Sequence, residues 1–193
     1  MIRIATKADI PGILAVYGPY ILNTTYTFEY TIPTVEEFTA RFEGITAQFP
    51  WLVWEENGTV LGYAYGSAPF ERAAYGWCAE ISVYLAPEAQ GKSIGRRLCA
   101  AVEEILWLQG YEVIFSLITS ENTRSLRFHE QIGYRESFIC RRCGLKFGRW
   151  LDVHWLEKRR NSVEIPSDPP LSWRSIVEND RKLQDILATL SLS

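Results

Sequence analysis

The stretch YLAPEAQGKSIGRRL, residues 84–98, joins an apolar run (Ile81, Val83, Leu85) to a helical pattern (Leu98, Val102, Ile105, Leu106). Strand, glycine-containing turn and helix in this order bring backbone N–H groups and the positive end of a helix to one point, a geometry suited to phosphate. Two phosphate loops each fit part of it. The nucleotide-hydrolase loop G-x-x-x-x-G-K-[ST] is met by Gly91-Lys92-Ser93, but Ala86 stands where its first glycine belongs. The coenzyme pyrophosphate loop Q-x-x-G-x-G is met by Gln90 and Gly95, with Ser93 in place of the middle glycine.

Chemistry favours the second. Pro87 removes one N–H donor from the hydrolase loop, and Ala86 resists the left-handed backbone that glycine allows. That class also holds magnesium with a strand-end aspartate, whereas YEVIFSLI (111–118) runs into Thr119 and Ser120. In the coenzyme loop, Ser93 is small and keeps its N–H, and Lys92, Arg96 and Arg97 add positive charge beside it. A plain strand-to-helix turn is the reading that involves no ligand.

At 193 residues the chain suits one well-buried domain and is short for two. A net charge of −3 and a pI near 5.5 exclude generalised nucleic-acid binding. No apolar run reaches the ~18–20 residues of a membrane span. The opening MIRIATKADIPGI is broken by Arg3, Lys7 and Asp9 and lacks a signal-peptide core, so a cytoplasmic protein with reduced thiols is expected. Cys140-Arg-Arg-Cys143 is the one close cysteine pair. A zinc site would need two further ligands at short spacing, so no metal is expected.

Along the chain, IRIA (2–5) reads as a strand, and Asp9 with Pro11 opens a helix to about Tyr20. NTTYTFEY (23–30) reads as a loop or edge strand. Thr34 and Glu37 form a capping-box signature for a helix to about Gln48. Asn57-Gly58 joins WLVWEE to TVLGYAYG as a hairpin. A strand at 78–86, a helix over 95–109, a strand at 111–118, a short helix over 122–132 and strands near 134–141 and 151–158 complete an α/β domain around a mostly antiparallel sheet. The expected division is a domain over 1–160 and an appendage over 161–193. In the latter, a Pro/Ser linker (162–172) leads to a tail helix whose Trp173, Ile176, Val177, Leu183, Ile186, Leu187 and Leu190 recur at helical spacing. Such a stripe docks either on its own domain or on a partner chain.

AEISVYLAPEAQGKSIGRRL followed by SENTRSLRFHEQIGY resembles the coenzyme-A half of a GNAT-superfamily acetyltransferase. FERAAYGWCAEISVYL, RFHEQIGY and GLKFGRWLDV are similar to the phosphinothricin acetyltransferase family, and the match spans about 1–158. The resemblance implies the GNAT fold, a homodimer, acetyl-CoA as donor and a small-molecule amine as acceptor, typically an amino acid or an analogue such as phosphinothricin or methionine sulfoximine. Acetyl transfer is then direct: a base removes a proton from the ammonium, a donor steadies the carbonyl oxygen, and positioning of the two substrates supplies much of the rest.

Carried onto this sequence, the resemblance makes Glu80 the catalytic base; the plain alternative is a strand carboxylate facing solvent. His129 reads either as a structural histidine or as a group that protonates the departing thiolate. Acetyl-CoA is expected along Val83, Tyr84 and Leu85, on Gly91, Lys92, Ser93, Ile94, Gly95 and Arg96, and at Asn122 and Gln131. Asn122 also reads as a helix N-cap. Acceptor recognition falls on Phe28, Ala73, Ala74, Tyr75, Glu80 and Arg149. Phe28 and Tyr75 double as ordinary core aromatics, and Arg149 pairs either with an acceptor carboxylate or with Asp152 nearby. A protein N-terminal acetyltransferase and a non-catalytic coenzyme-A sensor are the alternatives, the latter disfavoured by an intact Glu80.

Overall fold

The computed structural model describes residues 1–160, 165–179 and 181–192. The elements run β1 (Ile2–Ile4), α1 (Ile10–Asn23), α2 (Val35–Thr46), β2 (Trp51–Glu56), β3 (Thr59–Ser67), β4 (Cys78–Leu85), α3 (Ile94–Gln109), β5 (Val113–Thr119), α4 (Thr123–Gln131), β6 (Arg135–Lys146), β7 (Arg149–Arg159), α5 (Trp173–Asn179) and α6 (Arg181–Leu192). The seven strands form one sheet in the order β1-β2-β3-β4-β5-β7-β6. Among the described residues, the one parallel pair is β4 with β5.

Strand alternation distributes the core between the two faces of the sheet. Trp51, Val53 and Tyr63 pack with α1 and α2, while Leu52, Ala64, Ala79, Ile81 and Ile114 pack with α3. Along α3, Leu98, Val102, Ile105 and Leu106 are buried, and the helix stops at Gly110, whose φ of 99° suits only glycine well. The Thr34–Glu37 capping box forms as expected, at 2.8 and 3.2 Å. Asn57 and Gly58 both take left-handed backbone, with φ of 51° and 77°, as a two-residue hairpin turn requires.

Two local expectations are revised, and of the loop and edge-strand readings of 23–30 the loop is the one formed. Asp9 does not cap α1 through its side chain; that carboxylate accepts from Arg3 at 2.6 and 2.8 Å and from the Thr6 N–H at 2.8 Å. Residues 24–34 form no strand. The β6–β7 hairpin is longer than its hydrophobic pattern suggested, because Phe147 and Gly148, at φ 49° and 70°, make a turn that Phe147 does not advertise.

The tail docks in cis. Trp173, Ile176, Leu183 and Leu187 are buried in the same cluster as α3. The chain ahead of them is sewn to the domain: the Leu171 N–H donates to Gln109 O (2.7 Å), Gln109 Nε2 to Leu171 O (2.8 Å) and the Trp173 N–H to Gln48 O (3.1 Å). Val177, counted in the apolar stripe, is exposed instead. The expected 160/161 boundary and linker residues 162–164 lie outside the described residues. Among the described residues, no helix is long and apolar enough to cross a membrane.

Candidate active site

β4 and β5 pair only through Cys78–Val113, Ala79–Ile114 and Glu80–Phe115. Beyond Glu80 the two strands part, and the edge of β4 towards β5 loses its ladder partner. A gap of about 60 Å³ opens there, walled by Ile81 to Tyr84 on one side and Ser116 to Ile118 on the other, with Asn122 and His129 of the α4 segment. It shares Tyr20, Tyr26, Val83, Asn122 and Ser125 as walls with a larger cavity of about 620 Å³ at the N-terminus of α3.

The loop before α3 shapes this cavity. Gly91 and Ser93 are both left-handed, with φ of 77° and 61°, which turns the chain sharply into the helix. The first helical bond runs from the Arg97 N–H to Ser93 O (3.1 Å), so the N–H groups of the preceding turn have no partner within the helix. Gly91, Ser93, Ile94, Gly95 and Arg96 line the cavity, and these N–H groups with the helix dipole suit a pyrophosphate. A Cβ on Gly95 would lie 3.3 Å from Leu85 Cδ1, so the helix packs against β4 at glycine distance. Lys92 is exposed and stands outside the wall, and Arg97 lies over the Trp54 ring at 5.5 Å. Of the three cations expected beside the loop, only Arg96 lines the cavity.

Of the residues expected to hold acetyl-CoA, Val83, Leu85, Asn122 and Gln131 line the larger cavity and Tyr84 the gap. Asn122 is also the N-cap of α4, its Oδ1 accepting from the Ser125 N–H at 3.1 Å. Sequence reasoning missed Arg124, Arg127 and Phe128 of α4, and Tyr20 and Tyr26 from the far wall. A signal for the first three exists: with Gln131 they recur at three- and four-residue steps, one helix face. Arg124 Nη1 also donates to Gln90 Oε1 at 2.5 Å, tying α4 to the loop.

Glu80 sits at the last rung before the gap. Burial alone lifts its carboxyl to about 7, and none of the described salt bridges involves it. A carboxylic acid poised there can gain or lose a proton near neutral pH. His129 lines the gap but is 2% exposed. Its Nδ1 donates to Ser125 O at 2.9 Å, which leaves Nε2 to accept from Ser116 Oγ at 3.1 Å. Burial pushes His129 down to about 4, so it is neutral and has no proton at Nε2 to give.

The expected acceptor-side residues fall into separate groups, one of which reaches the Glu80 rung. Ala73, Ala74 and Tyr75 form one exposed 3-10 turn, and the Tyr75 ring lies 4.5 Å from Phe70. Phe70 meets Phe115, the residue opposite Glu80, at 5.9 Å. Phe28 rests on Gly144 so closely that a Cβ there would lie 2.2 Å from its ring. Arg149 does not pair with Asp152: it grips Glu121 at 2.9 and 3.3 Å, while Asp152 accepts from the Arg142 N–H at 2.8 Å. Glu121 also accepts from Thr25 Oγ1 at 2.8 Å, and Lys146, only 1% exposed, donates to Thr27 O at 2.7 Å. Glu29 takes Tyr17 OH at 2.9 Å and Arg41 at 2.6 Å. Loop 24–34, which carries Phe28 and Tyr26, is thereby pinned on several sides. Among the described residues, no group of three His, Cys, Asp or Glu is arranged to hold a metal ion.

A sheet split beside a half-buried carboxyl, with a left-handed loop and a helix N-terminus feeding the split, has the shape of a transferase site for an extended, phosphate-bearing ligand. The model of the acetyltransferase (GNAT) domain matches residues 2–155, and the chain belongs to that family and is an acetyltransferase. It is 35% identical over 166 residues to a phosphinothricin N-acetyltransferase of Alcaligenes faecalis, covering 83% of each chain. To an L-methionine sulfoximine/L-methionine sulfone acetyltransferase of Pseudomonas paraeruginosa it is 38% identical over 160 residues, covering 81% of this chain and 92% of the relative. The crystal structure of a GNAT-superfamily phosphinothricin acetyltransferase from Sinorhizobium meliloti in complex with acetyl-CoA superposes with a TM-score of 0.82 at 32% identity, covering 88% of this chain and 94% of that one. The match to the family model ends at residue 155, before the tail helices.

Proposed function

We propose that the chain transfers the acetyl group of acetyl-CoA directly to the amino group of a small amino-acid-like acceptor, with Glu80 as general base. The observation that carries this reading is the parting of β4 and β5 immediately after Glu80, whose carboxyl is raised to about 7. The unpaired edge of β4 offers backbone groups to an extended thioester arm and an N–H to the carbonyl oxygen as it gains charge. The N-terminal turn of α3, with Arg96, and the arginines of α4 take the phosphates. Glu80 accepts the ammonium proton; the freed amine attacks the thioester carbon, and collapse of the tetrahedral intermediate expels coenzyme-A thiolate, which takes up the second proton shed by the amine nitrogen to leave as the thiol. Neutral His129 then acts as a wall that fixes Ser116 rather than as the proton donor.

The names of the relatives support phosphinothricin and methionine sulfoximine as acceptors to try first. Arg149 and the aromatic residues near Glu80 suit a carboxylate-bearing amine. The chain works as a cytoplasmic homodimer in this reading, with its acetyltransferase domain over 1–160 and the tail as an appendage. An uncovered aromatic face, with Phe70, Phe138 and Trp155 stacked at 5.6 and 5.3 Å, supports the dimer. A thiol-release assay with acetyl-CoA and a panel of amino acids, phosphinothricin and methionine sulfoximine tests the proposal. Release that depends on one of these amines and is lost in Glu80→Gln supports it. Release with none of them, or undiminished release in Glu80→Gln, overturns it.

A further inference from the structure

The pair Cys140 and Cys143 lies on β6, away from the gap and the larger cavity. In a regular strand, residues three apart point to opposite faces and stand ~10 Å apart. A disulfide cannot bridge such a distance, since it needs Cα atoms within about 7 Å. The ladder here is not regular. Cys140 is opposite Val153 and Gly144 is opposite Leu151, so Arg141, Arg142 and Cys143 together face the single residue Asp152. Four steps of β6 are thus compressed into the length of two steps of β7, ~7 Å.

The compression curls the chain back on itself. Arg142 is left-handed at φ 49°, and its N–H is anchored on Asp152 Oδ1 at 2.8 Å. Cys143 Sγ reaches Cys140 O at 3.2 Å. Cys143 is exposed, Cys140 is half-buried, and both are free thiols. The remaining cysteines, half-buried Cys78 and buried Cys99, lie on other elements.

We propose that this bulge is a dithiol modification site that reacts with low-molecular-weight disulfides, such as glutathione disulfide, and closes to a Cys140–Cys143 disulfide. The exposed Cys143 thiolate attacks one sulfur of glutathione disulfide, forms a mixed disulfide and expels one glutathione thiolate. Cys140 thiolate then attacks the Cys143 sulfur and expels the second glutathione. The two cysteines lose two electrons and two protons, and glutathione disulfide takes them up as two molecules of glutathione. Burial, with the Cys140 thiol beside it as the next cause, holds the Cys143 thiol above its ordinary value. The sulfur within reach of Cys140 is that of Cys143, whose Sγ already lies 3.2 Å from Cys140 O, so attack falls there and glutathione departs in the second step.

The test uses the full chain, reduced, desalted and incubated with glutathione disulfide at neutral pH, followed by intact mass and peptide mapping after alkylation. The expected product has lost two hydrogens, with both thiols of the 140–143 peptide protected from alkylation and recovered with dithiothreitol. Cys140→Ser is expected to stop at one glutathione on Cys143. A wild-type chain that also stops at a stable glutathione adduct on Cys143, that links two chains, or that leaves both thiols alkylatable overturns the proposal.

Discussion

Glu80 stands opposite Phe115, and theirs is the last rung of the parallel ladder between β4 and β5. Everything proposed for the site is organised by that rung. On one side of it the sheet is continuous; on the other, a strand edge is free for a ligand.

Replacing Glu80 by Gln is expected to lower kcat by ~10²–10⁴ while leaving acetyl-CoA binding intact, the usual worth of a general base. The wild-type rate is expected to rise as pH passes about 7, where the buried carboxyl ionises. Stability moves the other way. The folded value of about 7 lies above the reference 4.5, so the fold favours the neutral acid, and that contribution is fully present below pH 4.5 and lost as pH rises through 7. Glu80→Gln is therefore expected to melt above the wild type at pH 8 and to lose that advantage at pH 4. Melting curves at both values check the sign.

Ser93 holds a left-handed φ of 61° that a side chain disfavours. Ser93→Gly is expected to stabilise the protein by about 1 kcal/mol, with coenzyme affinity changed no more than a few-fold. Ser93→Pro, which demands φ near −65°, is expected to abolish coenzyme binding. Calorimetric titration with acetyl-CoA, beside thermal melts, separates the two effects.

Lys146 is buried with its ammonium on Thr27 O, and burial lowers its pKa while Glu29 acts in the opposite sense. Lys146→Met keeps the volume and removes one of the bonds that pin loop 24–34. Loss of a charged hydrogen bond is worth ~1.5–3 kcal/mol, so acceptor KM is expected to rise about 10- to 100-fold. The KM for acetyl-CoA should stay unchanged. Equal effects on both would place the loop's role elsewhere.

Removal of the chain after Arg160 uncovers the surface of α3 and β1 on which Trp173, Ile176, Leu183 and Leu187 are buried. Because that docking is in cis, a lower Tm with no change in the number of subunits is expected, read by thermal melts and light scattering. Trp173→Ala in the full chain is expected to cost about 3–5 kcal/mol, as for other large core aromatics. A truncated protein that assembles with fewer subunits than the full chain would show that the tail also bridges subunits.

The order of strands and helices was legible in the sequence because it depends on local signals: alternation, helical spacing, the capping box at Thr34 and the turn at Asn57-Gly58. The loop after β4 was legible too, since Gln90, Gly91 and Gly95 act through their own backbone. Tertiary structure decided what depends on residues distant in sequence. Arg149 found Glu121 rather than Asp152, because a side chain's partner is set by which loops meet. His129 became a neutral wall because strands and helices from across the chain desolvate it. The tail's stripe fixed that it must dock, while the surface awaiting it belonged to α3 and β1, elements assembled from far earlier in the chain. The gap itself is written in neither strand: β4 follows β3 as far as Leu85 and β5 follows β7 as far as Thr119, while their mutual ladder ends at Glu80–Phe115, an outcome of partners that no single segment contains.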